Sequence, residues 1–165
     1  INDLISRLSL LREKVKLDRV EADLSAVVQA SIESIAFPPG IRVTTNLNAT
    51  AKAFLDAEQI QKVAINLLVN ARDAVGEQGS IQVETLTNNG WAIFTVKDDG
   101  CGISPEFLNR SLFRPFQTTK KNGIGIGMFH CKTIVEAHEG RIEVESEPGR
   151  GTTFRVLLPL AGRSS

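Results

Sequence analysis

Apolar residues recur along residues 59–75 with the spacing of a long amphipathic helix, which predicts the central element of the fold. The residues that share its apolar face are Ile60, Val63, Ala64, Leu67, Leu68, Ala71 and Val75. Ile65 and Val69 lie elsewhere on the helix surface, so the pattern indicates a helix that is buried on more than one side. Asp56, just ahead of this pattern, is suited to the N-cap position.

A polar stripe runs along the same helix. It consists of Lys62, Asn66, Asn70 and Asp73, which recur at steps of four, four and three and therefore lie on one side. Amides and carboxylates that are buried need hydrogen-bond partners. The stripe either faces water or receives a polar ligand, and the helix alone does not decide between the two.

The rest of the pattern predicts helices that alternate with pairs of strands. The predicted elements are helices at 1–16, 24–35 and from 124 or 126 to 138, strands at 41–47, 52–55, 80–87, 91–98, 141–146 and 151–158, a polar connector at 17–23 and a long loop at 112–123. Asp23 is suited to an N-cap, Ser104 to the N-cap of a short helix, residues 88–90 to a hairpin turn and Gly140 to a helix end. This order suits a sheet with helices layered on one face.

The first predicted helix carries an apolar seam of about two heptads. The seam consists of Ile1, Leu4, Leu8, Leu11 and Val15. The helix is either the end of a longer helix that packs in a dimeric bundle or a helix that packs on its own domain. Because the chain starts in mid-pattern without an initiator Met, we interpret it as a fragment of a longer protein.

Composition excludes several classes of function. The chain has 165 residues, enough for one domain with its own core. Its 19 basic and 19 acidic residues balance, so no nucleic-acid partner is predicted. There is no apolar run of membrane-spanning length. Cys101 and Cys131 make neither a disulfide framework nor a zinc-binding pattern.

A candidate binding motif, Asp98-Asp99-Gly100-Cys101-Gly102-Ile103, directly follows a predicted strand. Asp98 shares a strand face with Phe94 and Val96, so it points inward if they do. An inward carboxylate needs hydrogen-bond donors, and the exocyclic amine of a flat heterocycle would supply them. The two glycines would let the backbone approach a ligand closely. The alternative is an ordinary Asp-Gly turn.

A second candidate, Gly123-Ile124-Gly125-Ile126-Gly127-Met128, opens the last helix, where free N–H groups and the helix dipole favour phosphate. It matches neither the dinucleotide fingerprint nor the P-loop. In the preceding loop, Lys120 could reach a terminal phosphate or simply be solvated. Residues 149–154 form either a ligand-facing turn or a plain hairpin loop.

The two histidines are interpreted as structural. Neither His130 nor His138 has a neighbouring acid or nucleophile in a catalytic arrangement along the chain. His138 lies in the last turn of its predicted helix, where a partial positive charge is favourable.

Five motifs in this order resemble the catalytic, ATP-binding domain of two-component sensor histidine kinases, nearest the nitrogen-regulation-like kinases. Residues 66–74 resemble the family's N box, 98–102 its G1 box, 113–120 its F box, 123–127 its G2 box and 149–154 its last glycine-rich box. The wider GHKL superfamily includes gyrase-type, chaperone-type and mismatch-repair ATPases. The resemblance implies a two-layer α/β sandwich, the Bergerat ATP-binding fold, with a mixed sheet, helices on one face and a flexible ATP lid.

The resemblance also implies roles for individual residues. Asp98 would accept from the adenine amine, Asn70 would ligate Mg²⁺, and Asn66 and Lys120 would be catalytic. The implied ATP-binding residues are Asn66, Asn70, Asp73, Asp98, Gly100, Gly102, Ile103, Phe116, Thr118, Thr119, Lys120, Gly123, Ile124, Gly125, Ile126, Gly127, Met128 and Thr153. ATP and Mg²⁺ are the implied cofactors.

Departures from the family pattern refine these expectations. Hydrolases of the superfamily carry a glutamate at the position of Asn66, and an amide cannot take a proton from water. This favours phosphoryl transfer to another acceptor over hydrolysis. The alternatives are a GHKL-type ATPase and a nucleotide-binding regulatory module. In the second glycine motif Ile and Met replace the commoner Thr and Leu, but the glycines remain.

The resemblance further implies how the chain fits into a parent protein. Residues 1–17 would end the dimerisation hairpin, 18–160 would form the catalytic domain and 161–165 a tail. The phosphoacceptor histidine would lie upstream, outside this fragment. The implied partners are that hairpin, a response regulator and, through the upstream helices, a second copy of the parent. The domain would be cytoplasmic, and whether the parent is anchored in the inner membrane stays open.

Overall fold

The computed structural model describes residues 16–49, 52–110, 112–113 and 127–161. All of the first predicted helix except Lys16 lies outside the described residues, and so do the predicted site residues of the lid. Those lid residues are Phe116, Thr118, Thr119, Lys120, Gly123, Ile124, Gly125 and Ile126.

The described elements follow the predicted order, with one additional strand. The strands are β1 (Val20–Ala22), β2 (Ile41–Leu47), β3 (Ala53–Leu55), β4 (Gly79–Asn88), β5 (Trp91–Asp98), β6 (Arg141–Glu147) and β7 (Gly151–Pro159). The helices are α1 (Leu24–Glu33), α2 (Ala57–Val75), α3 (Pro105–Arg110) and α4 (Gly127–Ala137).

The main sheet has five strands in the order β2-β4-β5-β7-β6. β2 and β4 are parallel and the other neighbours are antiparallel, so the sheet is mixed. Along β5, Phe94 and Val96 are buried under the helices, while Lys97 on the opposite face is exposed. The predicted two-layer α/β sandwich with helices on one face is therefore confirmed.

The prediction of a plain connector at residues 17–23 is wrong. This segment contains β1, which pairs antiparallel with β3 and sets Val20 opposite Leu55. A strand of three residues is too short to show alternation, and its pairing depends on a partner that lies far along the chain.

The central helix α2 forms as its pattern predicts. It begins after Asp56, whose carboxylate accepts the backbone N–H of Gln59 at 3.2 Å, and it ends at Gly76 with φ of 80°. The predicted apolar face is buried apart from Val75, which is half-buried. α1 and α4 both pack against α2 beside the sheet, so the helix is covered on more than one side.

Most local turns also form as predicted. Asn89 and Gly90 both have positive φ, 51° and 83°, which makes the β4–β5 hairpin a type I′ turn. At the end of α4 the left-handed residue is Glu139, with φ of 62°, rather than Gly140. A Cβ on Gly140 would collide with the Leu157 carbonyl oxygen, so glycine is needed there for close packing.

His138 joins the end of α4 to the start of α2. Its Nδ1 lies 2.8 Å from the carbonyl oxygen of Ile134, and its Nε2 accepts the backbone N–H of Asp56 at 3.0 Å. The Asp56 carboxylate also accepts the backbone N–H of Asp18 at 2.8 Å. Burial lowers the pKa of His138, and only a neutral ring can donate at one nitrogen and accept at the other. The predicted partial positive charge on His138 is therefore wrong.

Replacement of Thr87 is expected to increase the stability of the fold slightly. Its hydroxyl is buried and has no hydrogen-bond partner among the described residues. We expect Thr87→Val to raise the free energy of unfolding by about 0.5–1 kcal/mol, because a desolvated hydroxyl is removed. Urea denaturation would measure the change.

Thr85 provides the matched control for this substitution. Its buried hydroxyl lies 2.7 Å from the Ser25 hydroxyl and accepts the Ala49 N–H at 3.1 Å. Thr85→Val should therefore be destabilising, and an equal effect of the two substitutions would contradict the prediction.

Candidate functional site

Asp98 ends β5 and points into the layer between sheet and helices. It is 6% exposed and accepts the backbone N–H of Gly100 at 2.9 Å. Burial raises its pKa, hydrogen bonds from the Gly100 and Thr152 backbones oppose that rise, and the charge of Asp99 adds to it. The predicted inward orientation is confirmed. A buried carboxylate in this position is an acceptor for a ligand that donates N–H groups.

Asp99 has a different role from its neighbour. Its carboxylate accepts both the backbone N–H of Ser80 at 2.9 Å and the Ser80 hydroxyl at 3.0 Å. The Ser80 backbone hydrogen bond is the largest cause of a lowered pKa at Asp99. Asp99 therefore fastens the end of β5 to the start of β4 and leaves the inward position to Asp98.

The glycines after Asp98 let this loop dock against α2 and the β6–β7 turn. A Cβ on Gly100 would lie 2.6 Å from the Ala74 carbonyl oxygen, which accepts the Cys101 N–H at 3.2 Å. Gly102 has φ of 75°, a conformation that other residues rarely adopt. Because Ala74 follows Asp73 in α2, this contact joins the Asp98 loop to the end of the polar stripe.

Thr152 lies beside Asp98 in the sheet, and Ser146 lies beside Thr152 on the next strand. Neither residue was identified as a site residue from the sequence. Their hydroxyl oxygens are 2.7 Å apart, and Ser146 also accepts the backbone N–H of Ile103 at 2.8 Å. Strand register sets Thr152 opposite Asp98. A serine and a threonine in strand-like segments carry no signal of their own. Only the position of Thr152 within the last glycine-rich motif could have pointed to it.

Thr153, which the motif implied as an ATP-binding residue, is not brought to this group. It pairs with Lys97, whose side chain is exposed on the open face of the sheet. Since paired residues project to the same side, Thr153 projects away from Asp98. Thr152 occupies the inward position instead.

The middle of the polar stripe lies against the first turns of α4. Asn70 Nδ2 donates to Met128 Sδ at 3.6 Å, and a Cβ on Gly127 would lie 3.5 Å from Asn66 Oδ1. Both asparagines are half-buried, whereas Lys62 at one end of the stripe is exposed. The structure therefore brings together Asn66, Asn70, Gly127 and Met128, which the sequence motifs had only associated by resemblance.

Asp73, at the other end of the stripe, is also exposed. Its carboxylate lies 3.6 Å from the Arg72 guanidinium. The Arg72 side chain also donates to the Ala36 carbonyl at 3.1 Å and so holds the end of α2 against the segment that follows α1. Asp73 thus stands between the asparagines and the loop at Asp98.

Phe113, at the edge of the long loop predicted at 112–123, packs against the core. The Lys132 ammonium of α4 lies 5.4 Å from the centre of its ring. This contact attaches the residues after α3 to α4.

The site joins a buried acceptor, a stripe of amides and the amino-terminal end of a helix. These three features suit a nucleotide, whose base donates N–H groups and whose phosphates favour helix N-termini. Among the described residues no cluster of three or more His, Cys, Asp or Glu could hold a metal ion.

The fold and this site define a nucleotide-binding domain of the two-layer GHKL type. The chain belongs to the family described as histidine kinase-, DNA gyrase B-, and HSP90-like ATPase, whose model matches residues 55–162. This confirms the resemblance that the five motifs indicated.

Several relatives of this chain are named as sensor or signal-transduction histidine kinases. The chain is 33% identical to the sensor histidine kinase ZraS of Salmonella typhimurium over 168 residues, which cover 99% of this chain and 36% of that protein. It is 38% identical to the histidine-protein kinase AtoS of Escherichia coli over 106 residues, or 64% of this chain and 17% of AtoS. The chain thus spans only about a third or less of these relatives.

Solved structures give the same fold. The catalytic domain of the histidine kinase ThkA, in a nucleotide-free form, superposes with a TM-score of 0.74 at 27% identity over 87% of this chain and 96% of that one. Full-length ShkA, in complex with AMPPNP, matches with a TM-score of 0.81 over 99% of this chain and 36% of that one. At 21% identity the second likeness concerns the fold alone.

None of the described helices combines the length and apolarity that crossing a membrane requires.

Proposed function

We propose that this chain binds Mg-ATP and positions the γ-phosphate for transfer to a histidine on a helical hairpin of its parent protein. The observation that carries the proposal is the buried carboxylate of Asp98, which faces the helix layer beside the asparagine stripe of α2. An amine donor on a flat base satisfies such a carboxylate, and the amides and the start of α4 suit the phosphates.

The positions of the residues around Asp98 and along α2 suggest which part of the nucleotide each one binds. Asp98 accepts from the adenine amine, and Gly100, Gly102 and Ile103 hold the loop that frames it. Asp73 lines the nucleotide side of α2. Gly127 and Met128, in the first turn of α4, lie at the phosphate end. The proposed contributions of Lys120 and the other lid residues lie outside the described residues.

Mg²⁺ fits the donor set at the asparagine stripe. Half-buried amide oxygens and phosphate oxygens are hard ligands of the kind that Mg²⁺ prefers. We assign Asn70 as its protein ligand and Asn66 as a supporting group. When bound, the ion would neutralise charge on the phosphates.

Transfer rather than hydrolysis follows from the amide of Asn66. A group that activates water must accept its proton, which an asparagine side chain cannot do. Asn66 and Lys120 are therefore proposed to assist transfer by positioning and charge. Substantial ATP turnover by the chain alone would favour the alternative of a GHKL-type ATPase.

The parent protein adds the remaining parts of this proposal. Residues 1–17 end the dimerisation hairpin, 18–160 form the catalytic domain and 161–165 a tail. The hairpin supplies the phosphoacceptor histidine, a response regulator receives the phosphoryl group, and the parent is a homodimer. We place the domain in the cytoplasm.

Calorimetric titration with a non-hydrolysable ATP analogue, with and without Mg²⁺, tests the proposed site. We expect a dissociation constant in the micromolar range, and 1 μM corresponds to a binding free energy of about 8 kcal/mol. The affinity should increase further when Mg²⁺ is present. Asn70→Ala should lose the gain from Mg²⁺ because the proposed oxygen ligand is removed.

Asn46→Ala is the control, because Asn46 is exposed on β2 at the edge of the sheet. It should bind the analogue as the unmodified chain does. Absence of binding by the unmodified chain, or a gain from Mg²⁺ that survives Asn70→Ala, would count against the proposed site.

A further inference from the structure

We propose that Met128 and Cys131 are positioning residues whose sulfur atoms fix the orientation of the two asparagine amides of α2. The inference rests on the proposed function, because it concerns which atoms of Asn66 and Asn70 are presented to Mg-ATP. Neither sulfur is proposed to touch the reacting atoms.

The two pairs are matched in spacing. Asn66 and Asn70 are four residues apart on α2, and Met128 and Cys131 are three residues apart on α4, so each pair lies on one side of its helix. α2 and α4 pack against each other. Asn70 Nδ2 lies 3.6 Å from Met128 Sδ, and the Asn66 side chain lies against the start of α4 beside Gly127, where we assign Cys131 as its sulfur partner.

The direction of the first hydrogen bond follows from the chemistry of methionine. A thioether has no hydrogen and can only accept. The atom of Asn70 that lies 3.6 Å from Met128 Sδ is Nδ2, the donor. Because the amide oxygen and nitrogen lie on opposite sides of Cγ, this contact directs Oδ1 away from the sulfur.

We assign the same direction to the contact between Asn66 and Cys131. Burial raises the pKa of the Cys131 thiol to about 12, and a hydrogen bond from the Asn66 side chain opposes that rise. A hydrogen bond lowers a thiol pKa when it donates to the sulfur, so the amide nitrogen of Asn66 faces Cys131. Consistently, Oδ1 is the Asn66 atom nearest to a Cβ built on Gly127, at 3.5 Å.

Each amide thus has its nitrogen toward a sulfur atom of α4, and the oxygen of Asn66 lies toward Gly127 at the start of that helix. A hard cation binds amide oxygen and not amide nitrogen, so a reversed amide would present the wrong atom. Sulfur suits this task in a buried place: Met128 is 8% exposed and Cys131 is fully buried, where a stronger polar acceptor would need further partners. The sulfurs therefore favour the amide orientation that Mg-ATP requires.

Norleucine in place of Met128 is the sharpest test, because the chain contains one methionine. Norleucine replaces the sulfur by a methylene at nearly the same size and shape. The measured quantity is the ratio of affinities for a non-hydrolysable ATP analogue with Mg²⁺ and with chelator. We expect this ratio to fall about 3- to 10-fold, the usual worth of one net hydrogen bond.

Cys131 supplies a pair of matched variants. Cys131→Ala removes the acceptor at Asn66, whereas Cys131→Ser restores an acceptor of similar size. The affinity ratio should fall in the alanine variant and recover, at least in part, in the serine variant. Loss of packing alone predicts no such recovery from a polar hydroxyl in a buried position.

A second measurement needs neither nucleotide nor metal. In the nucleotide-free chain, the side-chain NH₂ signals of Asn70 in nitrogen-15 NMR spectra should shift with norleucine, and those of Asn66 with Cys131→Ala. Variants Asn70→Asp and Asn66→Asp assign the signals by their disappearance.

The possible outcomes separate the two proposals. If the unmodified chain gains affinity from Mg²⁺ but the sulfur substitutions change neither the ratio nor the NH₂ signals, the positioning role is wrong and the proposed function stands. If the unmodified chain shows no gain from Mg²⁺, the proposed function fails and takes the positioning role with it. A lower affinity ratio in Cys131→Ala that Cys131→Ser does not restore would also contradict the positioning role.

Discussion

Replacing Asp98 with asparagine is expected to weaken binding of the ATP analogue by about 10- to 100-fold, the usual worth of a hydrogen bond to a charged group. The backbone N–H of Gly100 donates to the Asp98 carboxylate, and that of Thr152 also holds it. In the asparagine variant these two N–H groups would donate to the amide oxygen. The amide NH₂ would then face the adenine amine, so two donors would oppose each other.

The same argument predicts a change of base preference. The unmodified chain should prefer an adenine nucleotide, whose amine donates to Asp98, over an inosine nucleotide, whose oxygen at that position accepts. Asp98→Asn should narrow or invert this preference. Calorimetric titration with the two nucleotide analogues measures both affinities.

Asp99→Asn is the matched control, because Asp99 is the adjacent carboxylate and is bound to Ser80. It should keep the preference for adenine even if it lowers stability. An Asp98→Asn variant with an unchanged preference would remove Asp98 from the base-binding role.

Replacing His138 with alanine is expected to lower the free energy of unfolding by about 3 kcal/mol or more. The side chain is fully buried, and its removal leaves a cavity and deprives the Asp56 N–H of its acceptor. This N–H belongs to the residue that caps α2, so the loss falls on the helix that carries the asparagines. Urea denaturation at pH 7.5 measures the change.

His138 also predicts how stability depends on pH. Its pKa in the folded chain is lowered from the ordinary value near 6.5, mainly by burial. The unfolded chain therefore binds the proton more readily. Stability is fully present above about pH 6.5 and falls as the pH drops below it, by at most about 1.4 kcal/mol per pH unit for one histidine.

His138→Gln separates this effect from others, since glutamine does not titrate but offers an acceptor for the Asp56 N–H. Denaturation at pH 7.5 and 5.5 should show a smaller difference in the variant than in the unmodified chain. His130 titrates in the same direction, because burial and Lys62 lower its pKa, and His130→Gln measures its share. A difference that His138→Gln leaves unchanged would contradict the prediction.

Local chemistry made several features of the site predictable. Asp98 is inward because it shares a strand face with Phe94 and Val96, and this alternation is visible in five consecutive residues. Asn66 and Asn70 form one stripe because a helix repeats every three to four residues. The I′ turn at Asn89 and Gly90 follows from residues that tolerate positive φ.

Contacts between distant segments were not predictable in the same way. His138 lies 82 residues from Asp56, and nothing near either residue signals their hydrogen bond. The predicted partial charge on His138 was wrong, because burial is decided by the packing of α4 on the rest of the fold. Likewise, β1 is a strand only because β3 is beside it.

The sequence by itself determined the helix that carries the asparagines, the inward carboxylate and the family, because each depends on residues close together or on motifs in a fixed order. The tertiary structure alone decided that Thr152 and not Thr153 backs Asp98, since one residue of strand register reverses the side to which a side chain points. It also decided that the Met128 sulfur meets the Asn70 amide, although these two residues lie 58 positions apart in the sequence. Such pairings arise from how helices and strands pack, and packing joins residues that no local pattern connects.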